Sequence, residues 1–149
     1  SRRQRQMCIR DRVRTLLDDG TLALAQLHGQ EDESYIRELK TYTDKLIIKA
    51  FSIKTAEDIE KALQSPADYI LLDQGGGGTG KTFDWSLIPE IQRPFFLAGG
   101  IGASNLGQAI REIHPYAVDL SSSVETEKRK DPMKIRQVVD IVREIRIIN

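Results

Sequence analysis

At 149 residues, 40% hydrophobic and 30% charged, the chain can bury one core of ordinary globular size, and its length predicts a single domain. Its 22 basic and 22 acidic side chains cancel, leaving no whole-molecule field to gather nucleic acid or an anionic membrane, so any anion site must be local. The lone Cys8 allows no internal disulfide, no apolar run approaches the length of a membrane span, and no signal-peptide core follows the basic start, so the sequence predicts a soluble, cytoplasmic protein.

Ser1 to Arg12 holds five arginines, no strand-like alternation and no apolar face. It is predicted to lie outside the fold as a disordered basic segment, which leaves residues 13–149 as the domain. From there, short apolar runs ending in small or polar residues alternate with stretches of helical periodicity, the mark of parallel βα units. The runs are Leu22 to Leu27, Leu46 to Phe51, Tyr69 to Leu72, Phe95 to Ala98 and Ala117 to Leu120, followed by His28, Ser52, Asp73, Gly99 and Ser121. Helices are expected over Glu31 to Thr43, Thr55 to Gln64 and Asn105 to His114, with Thr55-Ala-Glu-Asp58 and Ser104-Asn105 offering N-cap oxygens. Asp131-Pro132 opens a last helix, Met133 to Ile145, with Ile135, Val138, Val139, Val142 and Ile145 as its apolar face. Polar residues gathered at strand ends are how a (β/α)₈ barrel places its site. A doubly wound open sheet is the alternative.

The segment Asp73-Gln-Gly-Gly-Gly-Gly-Thr-Gly-Lys-Thr-Phe-Asp-Trp85 satisfies the P-loop pattern through Gly75, Gly80, Lys81 and Thr82, with a strand before it. A P-loop lysine, however, opens a long helix, and here Phe83 to Ile88 runs into Pro89, which leaves room for one or two turns. Asp119 is the loose candidate for the magnesium ligand such a site needs. A plain glycine turn is the bland alternative, although four consecutive glycines carry an ordering cost a simple connection does not need. Lys49 interrupts an apolar strand, where it either pairs with an acidic neighbour inside a barrel or, as in an aldolase, forms a Schiff base. Trp85 reads as an apolar anchor for a short helix, and two histidines make no metal cluster.

Five segments in order carry a family resemblance: Ala25-Gln-Leu-His-Gly29, Ile70-Leu-Leu-Asp73, Gly77-Gly-Thr-Gly-Lys-Thr-Phe-Asp-Trp85, Leu97-Ala-Gly-Gly-Ile101 with Asn105, and Ala117-Val-Asp-Leu-Ser-Ser-Ser-Val-Glu125. Over roughly Val13 to Arg146 the chain resembles phosphoribosylanthranilate isomerase of tryptophan biosynthesis. The resemblance implies an α/β fold, a (β/α)₈ TIM barrel, of which the segments resemble strands four to eight, the C-terminal portion only. The first three strands are then missing. In their place, Arg5-Gln-Met-Cys-Ile-Arg-Asp-Arg12 resembles translated sequencing adapter, which suggests a truncated reading frame joined to foreign bases; a functional basic arm is the rival.

The implied chemistry is an Amadori rearrangement of a phosphoribosyl substrate, with no metal or other cofactor. Asp73 matches the general acid that protonates the ring oxygen, which requires the partly desolvated mouth that Tyr69 to Leu72 and the glycine loop would give. As a turn or N-cap aspartate it would have no catalytic role. Gly99 and Gly100 after the seventh strand, with Ser121 and Ser122 after the eighth, match the standard barrel phosphate site. Asp119 and His28 are the further substrate-facing candidates, His28 being equally readable as a structural histidine. The family has glycine where Ser123 stands. Its catalytic cysteine precedes a glycine, whereas Cys8 precedes Ile9, and its anthranilate-binding arginine has no counterpart. The chain is therefore expected to be inactive alone; a non-catalytic sugar-phosphate-binding half-barrel, self-associating through open sheet edges, is the alternative.

Overall fold

Alternation of side chains decides the architecture. The computed structural model describes residues 24–75 and 84–148, in which the strands β1 (Leu24–Leu27), β2 (Leu46–Ser52), β3 (Tyr69–Asp73), β4 (Phe95–Ala98) and β5 (Ala117–Asp119) pair in parallel and in chain order. The helices α1 (Glu33–Tyr42), α2 (Ala56–Leu63), α3 (Leu106–Ile113) and α4 (Pro132–Ile148) connect or follow them. The expectations for Ser1 to Arg12, including Cys8, for Leu22, and for Gly80, Lys81 and Thr82 fall outside the described residues.

Every second strand residue packs under helices. Ile70 and Leu72 of β3 and Phe95 and Leu97 of β4 cluster with Ile59 and Ala62 of α2, Leu106 and Ala109 of α3 and Val138 of α4. Ala25, Leu27 and Ile47 cluster with Tyr35, Ile36 and Leu39 of α1. Because Leu27 pairs with Lys49 and Lys49 with Ile70, both clusters lie on one side of the sheet. Each fully buried Ile or Leu there contributes about 1.5–3 kcal/mol. Sequential order with all four helices on one face is a singly wound α/β sheet, which rules out the doubly wound alternative, whose strand order reverses and whose helices cover both faces.

Local signals explain the helix ends. Thr55 and Asp58 close a capping box, the Thr55 side chain accepting from Asp58 N while Asp58 Oδ2 accepts from Thr55 N at 3.0 Å. Asp32 caps α1 by accepting from Tyr35 N at 2.8 Å. The last helix departs from expectation: Val138 and Ile145 are buried and Ile141 and Val142 pack against the core, but Ile135 and Val139 are 38% and 39% exposed. Its inward face is thus rotated toward Ile141. At its start Asp131 accepts from Met133 N at 2.9 Å and from Thr126 Oγ1 at 2.7 Å.

Candidate functional site

One register row crosses the C-terminal end of the sheet: Ser52 pairs with Asp73, Asp73 with Ala98, and Ala98 with Asp119. The alternation that sends Leu72, Leu97 and Val118 under the helices sends this row to the helix-free side. Asp73 and Asp119 therefore share a face, two strands apart. Asp73 ends β3 half-buried, and its Oδ1 accepts a hydrogen bond from Gly75 N at 2.8 Å, so the chain turns back over its own carboxylate.

The turn after β4 presses against that carboxylate. Gly99 has φ +85°, and a Cβ there would stand 2.6 Å from Asp73 Oδ1 and 2.7 Å from both N and O of Gly75. Only glycine fits. Asn105 shapes the rest of the loop: its Oδ1 accepts from Gly102 N at 2.8 Å and its Nδ2 donates to Gly100 O at 2.9 Å. This corrects the sequence expectation, since Asn105 stands at the N-cap position of α3 but makes no side-chain cap bond; its amide is spent on the loop in front.

After β5, Ser121 leads into a short 3₁₀ turn, Ser122–Val124, and then a hairpin of β6 (Glu125–Thr126) and β7 (Arg129–Lys130). The loops after β4 and β5 enclose a cleft of about 410 Å³, lined by Gly99, Gly100, Gly102, Asp119, Ser121 and Ser122 among others. Ser123 also lines it, and its buried Oγ has no hydrogen-bond partner among the described residues. Five predicted site residues, Gly99, Gly100, Asp119, Ser121 and Ser122, thus come together, with Asp73 behind Gly99. Sequence reasoning missed Gly102, Ala103 and Ser104 as wall residues, although two glycines so soon after a strand end are a signal of close backbone approach.

His28 does not join this cleft. It is exposed just past β1, with β2 between it and the Asp73 strand. Beside it, Lys49 Nζ donates to Gly29 O at 2.7 Å and to Glu31 Oε2 at 2.9 Å. The expected acidic partner is there, but Lys49 stands on the helix-covered side with Ile47 and Ile70 rather than inside a barrel, because its place in the alternation is odd. That position also removes it from the face that carries Asp73, contrary to a Schiff-base role there. Burial disfavours the Glu31 carboxylate, but the Lys49 ammonium and the backbone amides of Glu31 and Gly29 outweigh it and hold its carboxyl below the usual glutamate range.

The segment from Asp84 onward bears on the P-loop pattern. Asp84 accepts from Ser86 N at 3.0 Å and caps a single 3₁₀ turn, Trp85–Leu87, after which the backbone is extended. Among the described residues no α-helix follows before β4, whereas a P-loop lysine opens one. Trp85 packs against the main core, in keeping with an anchoring role.

The arrangement can hold an anion between two strand-end loops and present a carboxyl group next to it. The family model of N-(5'-phosphoribosyl)anthranilate (PRA) isomerase matches residues 9–141. A protein of that name from Endomicrobium trichonymphae is 44% identical over 139 residues, which cover 91% of this chain and 68% of the relative. Another from Streptococcus gordonii is 42% identical over 125 residues, 83% of this chain and 60% of the relative. A solved phosphoribosyl anthranilate isomerase in complex with reduced 1-(o-carboxyphenylamino)-1-deoxyribulose 5-phosphate superimposes with a TM-score of 0.73 at 31% identity, over 91% of this chain and 66% of that one. The chain thus spans roughly 60 to 68% of the length of the curated relatives it matches. With the family model covering most of its residues, the chain belongs to the N-(5'-phosphoribosyl)anthranilate isomerase family of tryptophan-biosynthesis enzymes.

Proposed function

We propose that these residues supply the acid and the phosphate cradle for isomerisation of N-(5'-phosphoribosyl)anthranilate, and that the sheet is the wall formed by strands four to eight of a (β/α)₈ barrel. The order β1 to β5 with helices on one face supports the second statement, since a barrel wall is wound in that way. The observation that carries the first is the double contact of Gly99, which lines the cleft on one side and meets Asp73 on the other. A phosphate held by Gly99, Gly100, Ser121 and Ser122 leaves the attached ribose within reach of the acid. The orphan Ser123 Oγ offers a further donor, and a buried hydroxyl without a partner calls for one.

In this reading Asp73 gives its proton to the ring oxygen as the furanosylamine opens to a Schiff base. A base then removes the proton from the adjacent sugar carbon, and the resulting enol becomes the ketone of the product. Asp119, on the same face, and His28, at the same end of the sheet, are the substrate-facing candidates. The base is not among the described residues, and Cys8 lacks the Cys-Gly setting the family uses. A hybrid in which residues 13–149 replace the matching segment of an active relative should isomerise N-(5'-phosphoribosyl)anthranilate, and Asp73→Asn in that hybrid should lower kcat by about 10²- to 10⁴-fold. Ordinary turnover by the Asp73→Asn hybrid would refute this role for Asp73.

A further inference from the structure

Gln74 sits between the proposed acid and the turn that lines the cleft, and its main-chain N–H and both ends of its side-chain amide are hydrogen-bonded. Its main-chain N donates to Ala98 O at 3.0 Å. Its side-chain Nε2 donates to Gly99 O at 3.3 Å and lies 3.5 Å from Ala98 O. Its Oε1 accepts from Trp85 Nε1 at 2.5 Å. The indole N–H can only donate, which fixes the amide the other way round: oxygen toward Trp85, nitrogen toward Gly99.

The order of bonds matters. Trp85 N–H polarises the Gln74 carbonyl, which makes the Gln74 amide a stronger donor to Gly99 O. A hydrogen bond to Gly99 O in turn draws charge out of the peptide it shares with Gly100, and Gly100 lines the cleft. Chained hydrogen bonds strengthen one another by about 10–30% each. The chain also fixes the Gly99 carbonyl, and with it the direction of the Gly100 N–H.

Resting on the proposed anion cleft, we infer that Gln74 is a positioning residue: it orients and polarises the Gly99–Gly100 peptide toward a sugar phosphate, and Trp85 sets the orientation of its amide. Trp85 itself is not part of the cleft wall. The glycine segment's far end thereby becomes linked to anion binding through two side chains.

The chain has one tryptophan, so the indole N–H gives a single proton–nitrogen resonance that reports on this bond. Titration with ribose 5-phosphate, and separately with inorganic phosphate, should move that resonance with the same midpoint as the Gly100 amide. Gln74→Met, which keeps length but has no amide, should weaken binding about three- to tenfold and leave the indole unmoved by ligand. Trp85→Phe, which keeps the anchoring ring, should weaken binding about two- to fivefold, and it decides the matter if Gln74→Met fails to fold. Unchanged affinity in the variants, or an indole that stays still while the wild-type Gly100 amide moves, overturns the relay and leaves the cleft standing. A wild-type chain whose Gly99 to Ser123 amides respond to neither ligand overturns the cleft and the relay together.

Discussion

Gly99 and Asp73 meet so closely that a methyl group on Gly99 would stand 2.6 Å from Asp73 Oδ1. The neighbouring Gly75 has a similarly left-handed φ of +70°, yet a Cβ there would meet nothing within 4 Å. The pair separates backbone strain from steric exclusion. Gly75→Ala should cost only the strain, about 1 kcal/mol, and leave sugar-phosphate binding intact. Gly99→Ala should cost about 2 kcal/mol or more, displace the carboxylate and abolish binding. Urea denaturation with calorimetric titration of ribose 5-phosphate measures both, and equal behaviour of the two variants would be inconsistent with the packing described.

Asp73→Asn in the hybrid isomerase should lower kcat by about 10²- to 10⁴-fold, the usual worth of one general acid. Affinity for ribose 5-phosphate should stay within about threefold, because the cleft lining does not include Asp73. A steady-state assay alongside a binding titration distinguishes this from a general loss of structure.

Amide shift mapping should place ribose 5-phosphate at Gly99, Gly100 and Ser121 to Ser123, with Lys81→Ala leaving the midpoint unchanged. Magnesium-dependent ATP binding that disappears in Lys81→Ala would instead restore the P-loop reading.

Glu31 has its carboxyl below the ordinary glutamate value of 4.5. The folded chain therefore binds fewer protons here than the unfolded chain, and stability falls as the pH drops. The contribution is complete above about pH 4.5 and is lost as the pH falls through the lowered folded value. Glu31→Gln should flatten the acid limb of the stability profile. It should also cost more than Lys49→Met, since the first leaves a buried ammonium short of its counter-charge and the second removes that charge. The order of the two midpoints in urea at pH 7 checks this.

Strand and helix placement was legible because it rests on short-range chemistry. Thr55 and Asp58 announce a capping box, and Ile70 to Leu72 or Phe95 to Ala98 admit little other than a buried strand. That Gly99, Gly100, Ser121 and Ser122 share a cleft was readable for a related reason, since the loops after neighbouring strands of a βα repeat lie side by side. What escaped depends on partners far away in the chain. Lys49 looked inward because periodicity fixes alternation but not which face the helices cover. Ile135 was read as part of the apolar face and Ile141 was not, because helical periodicity fits more than one apolar stripe and packing against the core selects the one through Val138, Ile141 and Val142. The hairpin of β6 and β7 gave no turn signal, for its left-handed positions are held by Glu127 and Lys128, with φ 53° and 64°, where glycine or asparagine is the usual marker.

Arg93, just before β4, donates to the carbonyls of Leu63 and Ser65 at 3.2 and 2.8 Å and to that of Ala67 at 2.6 Å. Asp68, just before β3, accepts from Ile47 N at 2.8 Å and from Lys40 at 3.1 Å. These ties sit at the strand starts, a full strand length from the cleft. The molecule is therefore divided into a foundation that is cross-braced to its own backbone and a rim that carries the cleft. Substitutions at the two ends should add rather than interact, so a rim variant that weakens the fold can be rescued from the foundation without touching the chemistry.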